Sequence, residues 1–283
     1  MNLEAINSDP LEIDREYPAL LECFTLNSNE CRLNCTLYIA QGRGPHPTII
    51  LFHGFPGYEK NFDLAQVFRR AGYNVMIFHY RGSWGSEGFY SVNNVLEDAD
   101  AAIDFLRSEK CKKSYRVDSE NIILIGHSLG GFTALMTAAK HPEIKLVASL
   151  AGFNVGLYGD MLFKSEKLFK SSVELWKDSM LPLRGITAEE FLNSAIENKE
   201  NWNLINLVKK LKSHSILMVA GSRDDTATIE EHHIALVDSL PKGKAANLKS
   251  IILDSDHSFS DKRIALSEVV LSWLLEQNKK CVD

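Results

Sequence analysis

A chain of 283 residues, 45% of them hydrophobic, is long enough to bury one large core and to carry an insertion on it. Its formal net charge of -6 offers no basic field for gathering phosphates or anionic lipid, which argues against nucleic acid and membrane surfaces as partners. The N-terminal stretch lacks a positive start followed by an apolar run, and nowhere do about 18 apolar residues run together, so a soluble, unprocessed cytoplasmic protein is expected.

Five cysteines, Cys23, Cys31, Cys35, Cys111 and Cys281, form neither an even framework nor CxxC pairs, so neither disulfides nor a zinc site is predicted. Residues 20–39 read as two antiparallel strands joined at the polar cluster Asn27-Ser28-Asn29. In the second strand Cys35 alternates with Leu33, Leu37 and Ile39, which puts all four on one apolar face.

From there the pattern changes to short apolar runs at 48–52, 74–78, 122–125, 146–150, 216–219 and 250–253, each followed by a polar or Gly-rich segment. Such runs suit strands buried on both faces. Between them lie stretches with apolar spacing of three and four, such as Phe62, Ala65, Phe68 and Val95, Ala99, Ala102, Ile103, Leu106. This alternation predicts an α/β chain with a mostly parallel sheet covered on both sides, in which loops at the carboxyl ends of the strands carry the chemistry. Residues 154–213 show no convincing strand, only helical runs with scattered aromatics including Phe163, Phe169, Trp176 and Trp202. They are predicted to form an inserted helical lid, with 1–153 and 214–283 as the core. The lid aromatics suit an apolar pocket, or the lid's own interior.

The first chemical motif in chain order is His53-Gly54-Phe55-Pro56-Gly57, at the end of the 48–52 run. Its glycines free the backbone to turn inward and offer the N–H of Phe55 to an oxyanion, with the N–H of Leu129 as the second donor. A plain Gly-Pro turn is the alternative; a phosphate loop is disfavoured because no Gly-Lys-Ser/Thr ending follows. Next come the strand at 121–125, the motif Gly126-His127-Ser128-Leu129-Gly130, and a helix to about residue 140. A serine on such a turn is forced to the outside of a sharp bend, where small residues on either side are required. Ser128 could instead be a helix N-cap, but the order of serine, acid and histidine along the chain favours a nucleophile.

The run at 215–221 is followed by Ser222-Arg223-Asp224-Asp225, so two aspartates compete for one task. Asp224 lies three residues beyond Gly221 and is favoured as the acid, while Asp225 suits the cap of a helix starting near Thr226. His257, on the loop after the last strand, is the predicted base. His232 and His233 are adjacent on a predicted helix, point about 100° apart, cannot converge on a metal and are expected to be solvated. His127 is expected to pack beneath the elbow, and His79 at a strand end.

These motifs, together with Tyr80-Arg81-Gly82-Ser83-Trp84-Gly85-Ser86-Glu87-Gly88, resemble the α/β-hydrolase superfamily over roughly residues 20–275. The similarity is to the branch containing cinnamoyl and other carboxylic esterases, dienelactone hydrolase-like proteins and the catalytic domains of prolyl-oligopeptidase-type peptidases. It implies an α/β-hydrolase fold and a structural role for the 81–88 loop. No large N-terminal propeller of the kind that filters peptides in oligopeptidases is present, which lessens the expectation of a peptidase. The implied reaction is acyl transfer through Ser128, His257 and Asp224 with Phe55 and Leu129 holding the oxyanion, on a small-molecule acyl substrate and with no metal or organic cofactor. Carboxylesterase leads, with peptidase and thioesterase as alternatives and a non-catalytic ligand-binding protein as the rival from another class. A serine at the elbow argues against the dehalogenase and epoxide-hydrolase branches. The oligomeric state stays open, a homodimer being compatible with the sequence.

Overall fold

The computed structural model describes residues 3–240 and 247–280. In chain order the elements are β1 (Leu20–Ser28), β2 (Cys31–Ile39), β3 (His46–Phe52), α1 (Phe62–Arg70), β4 (Asn74–Phe78), α2 (Val92–Leu106), α3 (Glu109–Ser114), β5 (Val117–His127), α4 (Leu129–Lys140) and β6 (Leu146–Leu150). There follow α5 (Val155–Lys164), α6 (Glu166–Trp176), α7 (Ala188–Glu197), α8 (Val208–Leu211), β7 (Ser215–Gly221), a π-helical turn (Ile229–Ile234), α9 (Ala235–Ser239), β8 (Leu248–Leu253) and α10 (Arg263–Lys280). Among the described residues no helix is long and apolar enough to cross a membrane.

The strands form one eight-stranded sheet in the order β1-β2-β4-β3-β5-β6-β7-β8. β1 and β2 pair antiparallel, β2 meets β4 antiparallel, and every other pairing is parallel. The β1–β2 turn lies later than the polar cluster suggested: Ser28 already pairs with Cys31, and Asn29 and Glu30 take the turn with φ of 45° and 66°. Two consecutive residues at positive φ match the twist of the flanking strands, and Asn is among the residues that tolerate it.

Alternation along the central strands divides the interior in two. On β3, Ile49 and Leu51 point to one face, and Ile50 and Phe52 to the other; on β5, Ile123 and Ile125 oppose Ile122 and Leu124. The first face is covered by α1 and α10, through Leu64, Phe68, Leu271 and Trp273. The second is covered by α2 and α4 and continues into the helical segment after β6, through Phe191 and Trp202. On α1 the seam runs through Leu64, Ala65, Val67 and Phe68, while Phe62, expected on the buried face, is 45% exposed at the helix start. On α2 the apolar seam also holds a carboxylate: fully buried Asp98 accepts from the Arg81 backbone N–H at 2.7 Å and from its Nε at 2.6 Å.

Cys35 lies with Leu33, Leu37 and Ile39 on the buried face, and burial pushes its thiol up to about 12. It, Cys23, Cys31 and Cys111 are free thiols, and Cys281 lies outside the described residues. Between β6 and β7 the chain is helical, and both ends of this segment meet at one buried side chain. Asn154 caps α5 through Leu157 N–H at 3.2 Å, accepts from Leu204 N–H at 3.2 Å, and donates from Nδ2 to Asn203 Oδ1 at 3.1 Å.

Candidate active site

β5 ends at His127 and α4 begins at Leu129, so Ser128 alone makes the change of direction, at φ 57° and ψ −121°. A non-glycine residue held there is strained, and the surroundings must fix it. The Ser128 N–H donates to Leu150 O at 2.9 Å, and its carbonyl accepts from Gly131 at 2.9 Å and Phe153 at 3.1 Å. The flanking glycines are steric requirements: a Cβ on Gly126 would lie 1.9 Å from Gly130 O, and one on Gly130 would lie 2.2 Å from Phe52 O. The Ser128 side chain makes no capping bond to α4, unlike Ser91 on α2 and Ser108 on α3, which leaves its oxygen unused by the helix.

Asp224 and His257 are brought together from the loops after β7 and β8. His257 Nδ1 lies 2.7 Å from Asp224 Oδ2, with the carboxylate fully buried and the imidazole side chain 19% exposed. The other carboxylate oxygen, Oδ1, accepts from the N–H groups of Thr226 at 2.9 Å and Ala227 at 2.8 Å. The helix expected near Thr226 begins instead at Ile229, with Thr228 before it and no side-chain cap, so neither aspartate caps a helix and Asp225 is exposed. A buried carboxylate needs this full set of donors, since an unpaired one would be costly to desolvate.

The turn after β3 approaches the elbow so closely that a Cβ on Gly54 would lie 2.9 Å from the Ser128 Cβ. Phe55, Ser128 and Leu129 line one cavity of about 260 Å³, whose far wall is Leu175, Trp176, Ser179 and Phe191 from the helical segment. No charged side chain lines it. Its aromatic wall is mutually packed, with ring centroids of Phe55 and Phe191 at 4.8 Å, Phe55 and Trp176 at 5.6 Å, and Phe153 and Trp176 at 6.0 Å. Of the other aromatics in that segment, Phe163 is 63% exposed beneath Lys199, Trp202 packs edge-on against Phe132 of α4 at 6.4 Å, and Phe169 is half-buried against the same core.

Three more histidines lie near the site: His127 packs beneath the elbow as expected, whereas His232 and His233 occupy places that sequence reasoning did not foresee. His127, buried beneath the elbow, extends Nε2 to within 2.7 Å of the His257 carbonyl; since a carbonyl only accepts, Nε2 carries the proton. Burial pushes the His127 pKa down to about 3, so the ring stays neutral. His232 and His233, expected in solvent, are 3% and 5% exposed. The π-helical turn that holds them packs against the core: His232 stacks on Phe153 at 4.3 Å and accepts from the Asn154 N–H at 3.0 Å, while His233 bonds Ser250 Oγ at 2.8 Å. The only warning in the sequence was the apolar pair Ile229 and Ile234 flanking the acidic stretch.

The chain matches the model of the prolyl oligopeptidase family over residues 60–281. Among curated proteins, the quorum-quenching protein AidA of Acinetobacter baumannii is 24% identical over 243 residues, covering 80% of this chain and 74% of that protein. An uncharacterized 31.7 kDa protein from the traX-finO intergenic region of Escherichia coli is 33% identical over 137 residues, and the match spans 46% of this chain and 45% of that relative's length. Among solved structures, Est1E of Butyrivibrio proteoclasticus with bound ferulic acid superposes with a TM-score of 0.71 at 19% identity, covering 90% of this chain and 99% of that one. The 2,6-dihydroxy-pseudo-oxynicotine hydrolase gives 0.67 at 18%, covering 93% and 70%. These two likenesses show a shared fold, the α/β-hydrolase fold. Because that family model matches residues 60–281, most of the chain, the chain belongs to the prolyl oligopeptidase family.

Proposed function

We propose that this serine-hydrolase-type chain cleaves carboxylic esters of uncharged, apolar acyl groups through Ser128, His257 and Asp224. The observation that carries the reading is the Asp224–His257 pair at 2.7 Å in the same fold as a strained Ser128 that lines an uncharged cavity. In this mechanism His257 takes the Ser128 proton, the oxygen attacks the acyl carbon, and the N–H groups of Phe55 and Leu129 hold the oxyanion. The N–H of Leu129 suits the task because it opens α4, where the first N–H groups have no partner within the helix. Asp224 fixes the imidazole tautomer and stabilises the imidazolium. His257 then returns the proton to the leaving alcohol and activates a water that releases the acyl group.

The cavity supports the choice of substrate. A carboxylate or ammonium on the acyl group would lose its hydration without gaining a counter-charge, whereas an alkyl or aromatic acyl group gains contact with Phe55, Phe153, Trp176 and Phe191. Residues 154–213 act in this reading as a lid that supplies the far wall and keeps water from the acyl-enzyme.

The test is a matched panel of p-nitrophenyl esters of short, long and aromatic acids, an acyl thioester and an aminoacyl anilide, with Ser128→Ala as control. Ester turnover at least about 10³-fold above that control supports the reading. Faster turnover of the anilide or the thioester moves the assignment to peptidase or thioesterase. Turnover undiminished by Ser128→Ala overturns it.

A further inference from the structure

The turn that carries Phe55 is fastened by side chains at every peptide carbonyl but one. The Tyr80 hydroxyl donates to His53 O at 3.1 Å, the protonated Nδ1 of His53 donates to Gly54 O at 2.8 Å, and the indole Nε1–H of Trp84 donates to Pro56 O at 2.7 Å. The first two donors, on the residues just beyond β3 and β4, are buried. Trp84 is different: it sits on the 81–88 loop at φ 47°, its indole lies beneath Lys60 at 3.9 Å and edge-on to Tyr58 at 5.3 Å, and it meets the turn from outside. Gly57, at φ 99°, leaves the space for it, since a Cβ there would lie 2.7 Å from the indole nitrogen.

The same loop grips the helical segment. Trp84 N–H donates to Pro182 O at 3.4 Å, Ser83 bridges Leu183, Arg184 N–H donates to Gly82 O at 2.7 Å, and Tyr90 N–H donates to Arg184 O at 2.9 Å. Residues 182–184 directly follow the stretch that supplies Leu175, Trp176 and Ser179 to the cavity wall. We infer that Trp84 is a positioning residue that joins the cavity-lining helical segment to the Phe55 turn, setting the direction of the Phe55 N–H from the state of the segment. The inference rests on the assignment of Phe55 as an oxyanion donor. It gives the 81–88 loop a part in substrate selection, because an acyl group that displaces the segment also loosens the turn. A bond of about 1 kcal/mol at this joint corresponds to about a fivefold to tenfold effect on whatever the turn controls.

Trp84→Phe keeps an aromatic ring beside Tyr58 and Lys60 and removes the donor together with part of the indole's volume. On a p-nitrophenyl butyrate assay the expected result is a kcat lower by about tenfold with KM within twofold, and a parallel loss of affinity for an alkyl trifluoromethyl ketone, whose adduct carries the oxyanion. Arg184→Pro removes the Arg184 N–H that donates to Gly82 O and so cuts the other end of the joint without touching the indole; alone it gives the same loss of kcat and of ketone affinity, and it decides the matter if Trp84→Phe folds poorly. Hydrogen exchange of peptides covering 53–58 and 180–186 is read without any substrate, and both speed up about tenfold in Trp84→Phe. Unchanged exchange in both peptides overturns the joint, as does a loss of kcat without loss of ketone affinity. An inactive native protein with Trp84-dependent exchange overturns the esterase reading and leaves the joint standing.

Discussion

His127 Nε2 donates to the carbonyl of His257 at 2.7 Å, tying the residue before the elbow serine to the backbone of the histidine that pairs with Asp224. Their rings lie 4.9 Å apart, so one neutral imidazole props the loop that carries the other. His127→Ala leaves that carbonyl without its donor and the loop without its prop. Stability should fall by about 1–3 kcal/mol in urea titrations, and kcat should fall by about tenfold as His257 is released from its orientation. An unaltered kcat with lowered stability would confine His127 to a packing role.

Asp224 and Asp225 are neighbours with unequal consequences. Asp224→Asn retains an oxygen for the Thr226 and Ala227 N–H groups but presents the wrong partner to His257 Nδ1, and a loss of about 10⁴ in kcat is expected by analogy with the serine protease triad. Asp225→Asn, on the exposed side of the loop, should stay within twofold of the native rate. Steady-state assays of the two variants side by side decide between them.

Acid should unfold this protein early. Burial holds His53 and His127 at about 3 and His232 at about 4, against 6.5 for a free imidazole. Above pH 6.5 these groups are neutral in both states and stability does not depend on them. Below it the unfolded chain binds protons that the folded one refuses, so stability is lost as pH falls, by about 1.4 kcal/mol per pH unit for each group. Urea midpoints measured at pH 7.5, 6 and 5 should drop steeply over the last two values, and His127→Gln should flatten the slope by about one proton. A flat profile from pH 6.5 to 4.5 would falsify the assignment of these histidines as buried and neutral.

Asp98 in the apolar seam of α2 predicts the largest stability effect outside the site. Asp98→Ala takes the acceptor from the Nε and backbone N–H of the 6% exposed Arg81, whose Nη2 keeps Glu97 and Asn94, and about 1–3 kcal/mol should be lost. Because Arg81 opens the loop that ends at Gly88, thermal unfolding and hydrogen exchange of residues 81–88 should report the same variant.

Much of this molecule was readable from residue order. The short continuous apolar runs at 74–78 and 146–150 coincide with β4 and β6, and the Gly-x-Ser-x-Gly pattern could be placed on a bend because Gly126 and Gly130 have a purely steric reason to be there. Pairing across long distances was less accessible. The meeting of Asp224 with His257 was inferred from chain order, but nothing local to Asp224 disclosed that one carboxylate would serve both the imidazole and two backbone donors. His232 was misjudged for a related reason: a polar residue between two glutamates and a histidine reads as solvated, and only the tertiary fold turns it onto Phe153. Asp98 was hidden in the same way, a charge whose partner lies on another element.

Asn154 offers a different perspective on the cavity. The helical segment leaves and returns to the core beside one asparagine, like a bag drawn shut at its neck, and is stitched once more to the 81–88 loop through residues 182–184. Closing a loop costs little more when the loop is longer, so the stretches between the neck and that stitch can be lengthened or shortened without displacing the strand ends beside Ser128, Asp224 and His257. What the cavity admits can thereby be exchanged at two joins: a foreign segment grafted between residues 154 and 203 that keeps the stitch at 182–184 should alter the far wall and leave the Asp224–His257 pair in place.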